Sequence, residues 1–264
     1  MAYSRLLSVI YPVLDRPEII DSLLSLRSAV TDLKIETEVI VVDGSRSSLL
    51  LKDFSTYYFN IRYIDVSQTN FNFNKSKYIN IGIKSSSGVY ILISDSDILW
   101  NMPTLEKLLN SCNCRLSLGY VQKVLESKAE LNVPSGLRYT FYLGNNRRLN
   151  KYVLIKKDNR RTMWRPGYGL VLFRHECVDL IHGLHEDFEG WGWEDCDLII
   201  RAWLNGIDVK SVGEVVHVSH INLKEDLSNK IKSRNKNIKI SFSVLSSLFP
   251  SRIKLSKSVQ RAIF

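Results

Sequence analysis

A short apolar run that ends in two carboxylates constrains the fold of this chain more than any other stretch. Residues 91–93 are apolar, Asp95 and Asp97 follow within four residues, and residues 98–99 are apolar again. Such a run predicts a buried strand, and open α/β sheets bind ligands at the carboxyl ends of their strands. Two carboxylates this close are unfavourable unless a cation or hydrogen-bond donors compensate them. The stretch therefore suggests a site for a divalent metal that carries a diphosphate.

Two strands joined by a helix are predicted before this stretch. Residues 6–13 are mostly apolar, and Pro12 is expected to end the strand that they form. Residues 19–27 have helical apolar spacing, with Asp15 as the expected N-cap, and residues 38–42 are apolar again. Strand, helix and strand with short connections predict a βαβ unit and hence a parallel α/β sheet.

Asp43 directly follows the second of these strands. Because parallel strands end at one edge of a sheet, we expect Asp43 at the same sheet edge as Asp95 and Asp97; the alternative is a turn or cap residue. Lys75 lies at the predicted start of a helix that carries Asn80. It is expected to meet phosphate, since amides and positive charge converge at a helix N-terminus, and its alternative is a solvated helix face.

Residues 188–197 combine two tryptophans, two glycines and several acids. If the segment were part of the core, its carboxylates would be buried without partners, which is unfavourable. If it were an ordinary surface loop, its indoles would expose a large aromatic area to water. The composition suits a site, because glycine lets backbone approach a ligand, an indole offers a flat face to a sugar and a carboxylate accepts a proton. An amphipathic helix is predicted to follow and to end at Asn205 and Gly206.

A predicted strand over residues 215–220 contains His217 and His220. Residues three apart in a strand face opposite ways, so only one of the two is expected to reach a metal. The alternative is a structural role for both.

Positive charge is concentrated at the end of the chain. The net charge is +9, and residues 223–264 hold ten Lys and Arg against two acids. This predicts a near-neutral catalytic domain over residues 1–222 and a basic helical extension over 223–264, suited to an anionic membrane surface. The alternatives for the extension are a solvated helical appendage or an oligomer contact. Nucleic acid is disfavoured as a partner because the aromatic residues are not interleaved with the charges.

Composition also sets expectations about location. No apolar run approaches the roughly 18 residues that span a bilayer, no signal peptide is expected, and the four cysteines form no CxxC pair. These features predict a cytoplasmic protein, peripheral at the inner face of the plasma membrane if the extension binds lipid. Residues 147–165 contain eight basic side chains against Asp158, which suggests either a mobile loop over an anionic ligand or a solubilising surface loop.

Taken together, these motifs resemble the metal-dependent glycosyltransferases of the GT-A fold. The similarity covers roughly residues 6–220 and is closest to family-2-like enzymes and to the β-1,4-galactosyltransferase and chondroitin-polymerase type. It implies an α/β fold in which a Rossmann-like, nucleotide-binding mixed sheet is flanked by helices. Two departures bear on sugar specificity, since Trp193 stands where many relatives have Gly and residues 182–186 replace a Gly-Gly-Phe-Asp-Glu segment. The motifs that carry the resemblance are Val42-Asp43-Gly44-Ser45, Asn80-Ile81-Gly82, Asp95-Ser96-Asp97, Gly190-Trp191-Gly192-Trp193-Glu194-Asp195 and the late histidines.

The resemblance also implies a role for each motif residue. Asp195 would be the catalytic base, with Glu194 binding sugar hydroxyls. Asp97, completed by His217 or His220, would bind Mn²⁺ or Mg²⁺. The remaining expected site residues are Asp43, Lys75, Asn80 and Asp95 for the nucleotide-sugar donor and Trp191, Gly192 and Trp193 for the acceptor sugar.

Elementary chemistry agrees with these roles. A sugar leaves a nucleoside diphosphate easily when a divalent cation neutralises the growing charge, and one base with direct displacement gives inversion. The sequence thus predicts an inverting transfer of a hexose or N-acetylhexosamine from a UDP-sugar to a saccharide acceptor, a lipid-linked glycan included, in bacterial surface-polysaccharide synthesis. Two alternatives stay open: a non-catalytic nucleotide-sugar-binding protein of the same fold, and a retaining GT-A transferase.

Overall fold

The fold combines two β-sheets with seven described helices. The computed structural model describes residues 6–45, 60–67, 73–126, 139–146, 150–158, 162–190, 192–218 and 227–264. In chain order its elements are β1 (Leu7–Val13), α1 (Ile19–Leu33), β2 (Thr37–Asp43), β3 (Asn60–Asp65), α2 (Lys75–Ser85), β4 (Tyr90–Ile93), β5 (Ile98–Leu99), α3 (Met102–Ser111), β6 (Ser117–Leu125), β7 (Tyr139–Asn146), β8 (Asn150–Lys157), β9 (Trp164–Arg174), α4 (Cys177–Ile181), α5 (Glu194–Leu204), β10 (Asp208–His217), α6 (Leu227–Leu248), β11 (Ile253–Leu255) and α7 (Lys257–Ile263).

The larger sheet has eight strands in the order β3-β2-β1-β4-β9-β6-β10-β5. Strands β1 to β4 are parallel, β9 runs antiparallel to both β4 and β6, and β10 runs parallel to β6. Because β9 reverses direction between them, β4 and β6 point the same way and end at the same edge of the sheet. The mixed α/β sheet flanked by helices confirms the fold class predicted from the sequence.

Helices cover both faces of this sheet. On one face, α1 and α3 pack against alternate residues of the parallel strands, among them Val9, Val39 and Leu92. On the other face, the intervening residues, such as Ile10 and Ile40, pack with α2, α4 and α5. Strands buried on both faces are continuously apolar, which explains why the sequence shows runs rather than alternation here.

The carboxyl-terminal segment belongs to the second of these layers. A three-stranded sheet, β11-β8-β7, joins its last strand to two earlier ones. Ile238 and Leu245 of α6, Leu255 of β11 and Val259 of α7 lie in the same apolar cluster as α5. The described residues of this segment form α6, β11 and α7, and the division at 222/223 into a catalytic domain and a helical extension stays a prediction from composition.

Two details near the first strand bear on the expectations from sequence. Strand β1 ends at Val13, as predicted, although Pro12 itself lies within the strand. The Ile10 carbonyl accepts from Ser94 N and the Val13 carbonyl from Gly44 N. The backbone groups of Ile10 therefore point towards β4 and those of Val13 towards β2, and Pro12 points towards β4 like Ile10. The last β1–β4 pair is at Ile10, so the N–H that Pro12 lacks is not needed for a hydrogen bond between these strands.

The second concerns the start of α1. A turn precedes the helix, in which Ile19 N donates to Arg16 O, and Glu18 holds the N-cap position. Asp15 has a positive φ of 49° and its backbone N–H donates to Ser45 Oγ at 2.7 Å. The expected cap residue therefore belongs to the turn between β1 and α1.

The basic segment is also more ordered than the sequence suggests. Residues 150–157 form β8, which pairs with β7 on one side and β11 on the other, and β9 begins at Trp164. The centre of β8, residues 152–155, is apolar, and Val153 and Ile155 are fully buried. A loop, mobile or solubilising, is therefore wrong for 150–157, because burial of every second residue marks a strand with one side in the core.

Candidate active site

The acids predicted to share one sheet edge do so. Asp43 ends β2, the turn after β4 carries Asp95 and Asp97, and His217 ends β10. Val218 N donates to Asp97 O at 2.8 Å, which ties the end of β10 to this turn. Asp43 is 2% exposed and Asp97 9%. The edge therefore holds buried carboxylates that need compensating groups.

Asp43 is compensated by neutral donors. One carboxylate oxygen accepts from the backbone N–H and the hydroxyl of Ser45, and the other accepts from Tyr63 Oη at 2.9 Å. A Cβ at Gly44 would overlap the Tyr78 hydroxyl, so only glycine lets the chain pass over α2 here. These bonds fix the turn after β2, and the contact of Asp43 with a nucleoside stays a prediction.

Asp95 is held between two lysines. Lys75 Nζ and Lys123 Nζ each lie 2.6 Å from one of its carboxylate oxygens. Burial alone would raise the pKa of Asp95, but the two ammonium groups outweigh it and hold the pKa well below its ordinary value. A Cβ at Gly169 would lie 3.3 Å from Lys75 Nζ, so this glycine leaves room for the cluster. One carboxylate and two ammonium groups leave a net positive charge.

Lys123 was not predicted from the sequence. It lies near the end of β6, 28 residues from Asp95. The sequence could have suggested a strand around Val121, but the place of β6 in the sheet depends on its pairing with β9. Burial alone would lower the pKa of Lys123, and the carboxylates of Asp95 and Asp97 raise it above its ordinary value instead. Lys123 is therefore a cationic member of the site.

Asp97 and His217 form the candidate metal pair. Asp97 Oδ2 lies 3.4 Å from His217 Nε2. Burial alone would raise the pKa of Asp97, whereas the hydrogen bond with His217 lowers it below its ordinary value. A carboxylate oxygen and an imidazole nitrogen at this separation can bind one ion, and such a donor set suits Mn²⁺ or Mg²⁺. The residues present therefore fit the expected metal.

The pair does not complete a metal shell by itself. Among the described ranges, no group of three or more His, Cys, Asp or Glu side chains is arranged to hold an ion. His220, the alternative ligand predicted from the sequence, lies outside the described residues. Other ligands, such as diphosphate oxygens or water, are therefore needed beside Asp97 and His217.

Helix α5 brings a second pair of acids to this place. Glu194 and Asp195 occupy its first turn, where the helix dipole stabilises negative charge. Lys75 Nζ, which binds Asp95, also lies 3.6 Å from Glu194 Oε1. Asp195 Oδ1 accepts from Cys196 N at 2.7 Å. One lysine thus links the acids after β4 with those of α5.

The surroundings of Glu194 change its readiness to ionise. Burial raises the pKa of Glu194 and the Asp195 carboxylate adds to the effect, while Lys75 opposes it, so that the pKa reaches about 7. The Glu194 side chain is 14% exposed. The third acid of this helix, Asp197, is structural, since Arg201 Nε and Ser241 Oγ donate to its two oxygens at 2.7 and 2.6 Å.

The other predicted site residues take different positions. Asn80 Nδ2 donates to Leu184 O and Glu186 Oε1, and its Oδ1 accepts from Leu184 N, so its amide fixes the segment beside α2. A donor contact of Asn80 stays a prediction.

Trp193 is 2% exposed and packs edge-on against Tyr139. A sugar contact would require its side chain to leave the core. Gly192 lies against Arg234 of α6, and Trp191 is outside the described residues.

Two sequence families match adjacent parts of the chain. The family described as Glycosyl transferase family 2 matches residues 8–157, more than half of the chain, and includes Asp95 and Asp97. The family described as the N-terminal domain of galactosyltransferase matches residues 153–224, which include Glu194 and Asp195. A comparison with curated proteins gave no significant match.

Solved structures of glycosyltransferases share the fold. The chain is 15% identical to a mannosyltransferase from Pyrobaculum calidifontis in complex with GDP-Man and Mn²⁺, with a TM-score of 0.61 over 93% of this chain and 65% of that one. It is 18% identical to S. aureus TarS in complex with UDP-GlcNAc, with a TM-score of 0.56 over 89% of this chain and 66% of that one. Drosophila beta1,4-galactosyltransferase 7 in complex with xylobiose is 16% identical, with a TM-score of 0.49 over 87% of this chain and 80% of that one.

The chain spans just under two thirds of the length of the mannosyltransferase and TarS chains. At these identities the likeness concerns the fold, which is the GT-A fold expected from the sequence. The family match and the fold agree with each other and with the acids gathered at the sheet edge. The chain belongs to glycosyl transferase family 2.

Proposed function

We propose that this glycosyltransferase is metal-dependent and inverting, and that it moves a hexose or N-acetylhexosamine from a UDP-sugar to a saccharide acceptor. The observation that carries the proposal is the position of Lys75, whose Nζ lies 2.6 Å from Asp95 and 3.6 Å from Glu194. Asp95, from the motif assigned to the donor, and Glu194, from the motif assigned to the acceptor, are about 100 residues apart in sequence. Both lie close to the same lysine. The solved complexes of relatives with UDP-GlcNAc and GDP-Man support a nucleotide-sugar donor.

The reaction assigns a task to each group. Asp195 accepts the proton of the acceptor hydroxyl as its oxygen bonds to the anomeric carbon and the bond from that carbon to the diphosphate oxygen breaks. Lys75 and Lys123 surround the leaving diphosphate with positive charge. Asp97 and His217, with His220 as a further candidate, would hold Mn²⁺ or Mg²⁺, which when bound neutralises diphosphate charge. A single displacement with one base inverts the anomeric carbon.

A donor screen tests the reaction class. UDP-, GDP- and TDP-sugars are incubated with Mn²⁺, Mg²⁺ or EDTA, and release of nucleoside diphosphate is measured without acceptor. We expect metal-dependent hydrolysis of a UDP-sugar. UDP binding by a protein that hydrolyses and transfers no sugar would favour the non-catalytic alternative, and an α-linked product from a UDP-α-sugar would favour a retaining enzyme.

A matched pair of variants tests the base. Asp195→Asn should lower transfer by about 10²–10⁴-fold, the usual contribution of a general base, and leave the Kd for UDP unchanged. Asp208→Asn is the control, because Asp208 is an exposed acid at the far end of β10, where it forms an ion pair with Lys210. Full transfer by Asp195→Asn would refute the base assignment.

The proposal extends to the setting of the enzyme. All four cysteines are free, in accordance with a reducing, cytoplasmic location. No described helix combines the length and the apolar character that crossing a bilayer needs. A lipid-linked glycan acceptor in surface-polysaccharide synthesis would place the enzyme at an anionic membrane.

In that setting exposed lysines of the extension, such as Lys232, Lys239 and Lys254, would contact the lipid headgroups. Flotation with anionic and neutral vesicles tests this, comparing the wild type with a variant in which these three lysines are Gln. Equal flotation of both proteins would refute the membrane contact.

A further inference from the structure

The carboxyl-terminal helix α6 lies against the loop that leads into α5. Asn237 of α6 is 1% exposed and makes three hydrogen bonds to the backbone of this loop. Its Oδ1 accepts from Glu189 N at 3.1 Å, and its Nδ2 donates to Glu189 O at 3.1 Å and to Gly192 O at 2.8 Å. One buried amide therefore joins the two ends of a short loop whose interior residues are Gly190 and Trp191.

The loop has a backbone that the chain does not favour by itself. Gly190 and Gly192 have φ angles of 62° and 93°, and Trp193, which has a side chain, has a φ of 85°. A non-glycine residue at such an angle is strained and persists only where its surroundings impose it. The Trp193 indole N–H is also buried without a hydrogen-bond acceptor among the described residues. The loop therefore needs an external support.

Helix α6 fits closely enough to give that support. A Cβ at Gly190 would lie 3.0 Å from Ser233 Cβ, and one at Gly192 would lie 3.1 Å from Arg234 Cδ. These distances are shorter than ordinary contacts of a Cβ atom. The absence of a side chain at the two glycines therefore allows α6 to pack this close to the loop. The glycines serve the packing of α6 as well as the turn of the loop.

A second bond attaches α6 directly to α5. Ser241 Oγ donates to Asp197 Oδ1 at 2.6 Å, and Ser241 is fully buried. Asn237 and Ser241 are four residues apart and so lie on the same face of α6. Through them one helix contacts both the loop before α5 and the first turn of α5, which carries Glu194 and Asp195.

We infer that Asn237 is a positioning residue for the acceptor half of the active site. Its amide holds Glu189 and Gly192 together and with them the entry into α5, so that Asp195 keeps a constant relation to an acceptor sugar. This inference rests on the proposed function, in which Asp195 is the base. It gives the carboxyl-terminal helix a part in acceptor binding.

Kinetics of three variants test the inference. The donor found by the screen is used with a panel of p-nitrophenyl glycosides as acceptor probes, and KM is measured for each substrate. Asn237→Leu removes all three hydrogen bonds to the loop. Asn237→Asp keeps the oxygen that accepts from Glu189 N and loses the N–H groups that donate to Glu189 O and Gly192 O. Both should raise the acceptor KM at least tenfold and lower kcat/KM for the acceptor by up to about 10²-fold, with the donor KM within about twofold.

The control is Ser241→Ala, which removes an equally buried bond of the same helix but does not touch the loop. It should lower the Tm without raising the acceptor KM. Asn237→Gln, which keeps the amide, should restore part of the loss. An unchanged acceptor KM in Asn237→Leu, or an equal rise in Ser241→Ala, would overturn the inference.

Hydrogen exchange separates this inference from the proposed function. Amides of residues 189–193 should exchange at least tenfold faster in Asn237→Leu than in the wild type, and unchanged rates would overturn the holding role. A wild type that binds no UDP and uses no donor would refute the proposed function and the catalytic consequence of this inference. The exchange rates would still decide whether Asn237 holds the loop.

Discussion

Glu194 offers the sharpest test of the electrostatics of the site. Its carboxylate is buried at the start of α5, next to Asp195 and 3.6 Å from Lys75. Burial, reinforced by the Asp195 charge and opposed by Lys75, raises its pKa from 4.5 to about 7. A carboxyl group with this pKa should make the free energy of unfolding depend on pH.

The direction and size of the effect follow from linkage. Between pH 4.5 and 7 the native state holds the Glu194 proton more tightly than the unfolded state does, so stability falls as pH rises through this range. Below pH 4.5 and above pH 7 the contribution is constant. The full difference corresponds to about 3 kcal/mol, and most of it appears between pH 5 and pH 8.

Glu194→Gln removes this titration while keeping the shape of the side chain. Urea unfolding, followed by tryptophan fluorescence without donor or metal, gives the free energy of unfolding at pH 5 and pH 8. The variant should gain about 2–3 kcal/mol more over the wild type at pH 8 than at pH 5. Glu106→Gln on α3 is the control, since Glu106 is exposed and should show no such difference. An equal gain at both pH values for Glu194→Gln would refute the reasoning.

Three further predictions concern the lysines, the metal pair and the packing of α2. Lys123→Gln should weaken UDP binding by about 2 kcal/mol in calorimetry, because a charged hydrogen-bond donor is lost, and unchanged affinity would place the diphosphate elsewhere. Asp97→Asn should abolish the rise in Tm that Mn²⁺ with UDP causes in the wild type, whereas a full rise would exclude Asp97 as a ligand. Gly82→Ala should lower the free energy of unfolding by about 1–3 kcal/mol, because its Cβ would overlap fully buried Ile10; unchanged stability would contradict this packing.

Local signals in the sequence predicted much of the first half of the fold. The runs that became β1, β2 and β4 are apolar because both faces of the sheet are covered. Asn74 caps α2 by accepting from Lys77 N, and Asn205 and Gly206 end α5 as expected. Because parallel strands end at one edge, the position of Asp43 and Asp95 at the same edge of the sheet followed from the predicted parallel strands.

Features that depend on long-range pairing were not predictable in this way. Lys123 reaches Asp95 only because β9 inserts antiparallel between β4 and β6, and no local pattern specifies that insertion. Similarly, β8 was not recognised as a strand, since Lys151, Lys156 and Lys157 near its two ends suggested a loop. A strand whose charged residues flank a short apolar centre resembles a polar segment when only its charge is counted.

The carboxyl-terminal segment shows why composition alone misplaces a helix. An apolar stripe between lysines has the same sequence pattern whether it faces a lipid surface or the body of the protein. In α6 the stripe includes Ile238 and Leu245, which are fully buried, and the same face carries Asn237 and Ser241. Buried polar groups need hydrogen-bond partners in fixed positions. The backbone carbonyls of the loop provide such partners for the Asn237 amide, and a lipid surface does not. An Asn and a Ser set four residues apart within an apolar stripe therefore indicate that this face packs on protein, and the exposed lysines, such as Lys232 and Lys239, are left for an anionic surface to meet.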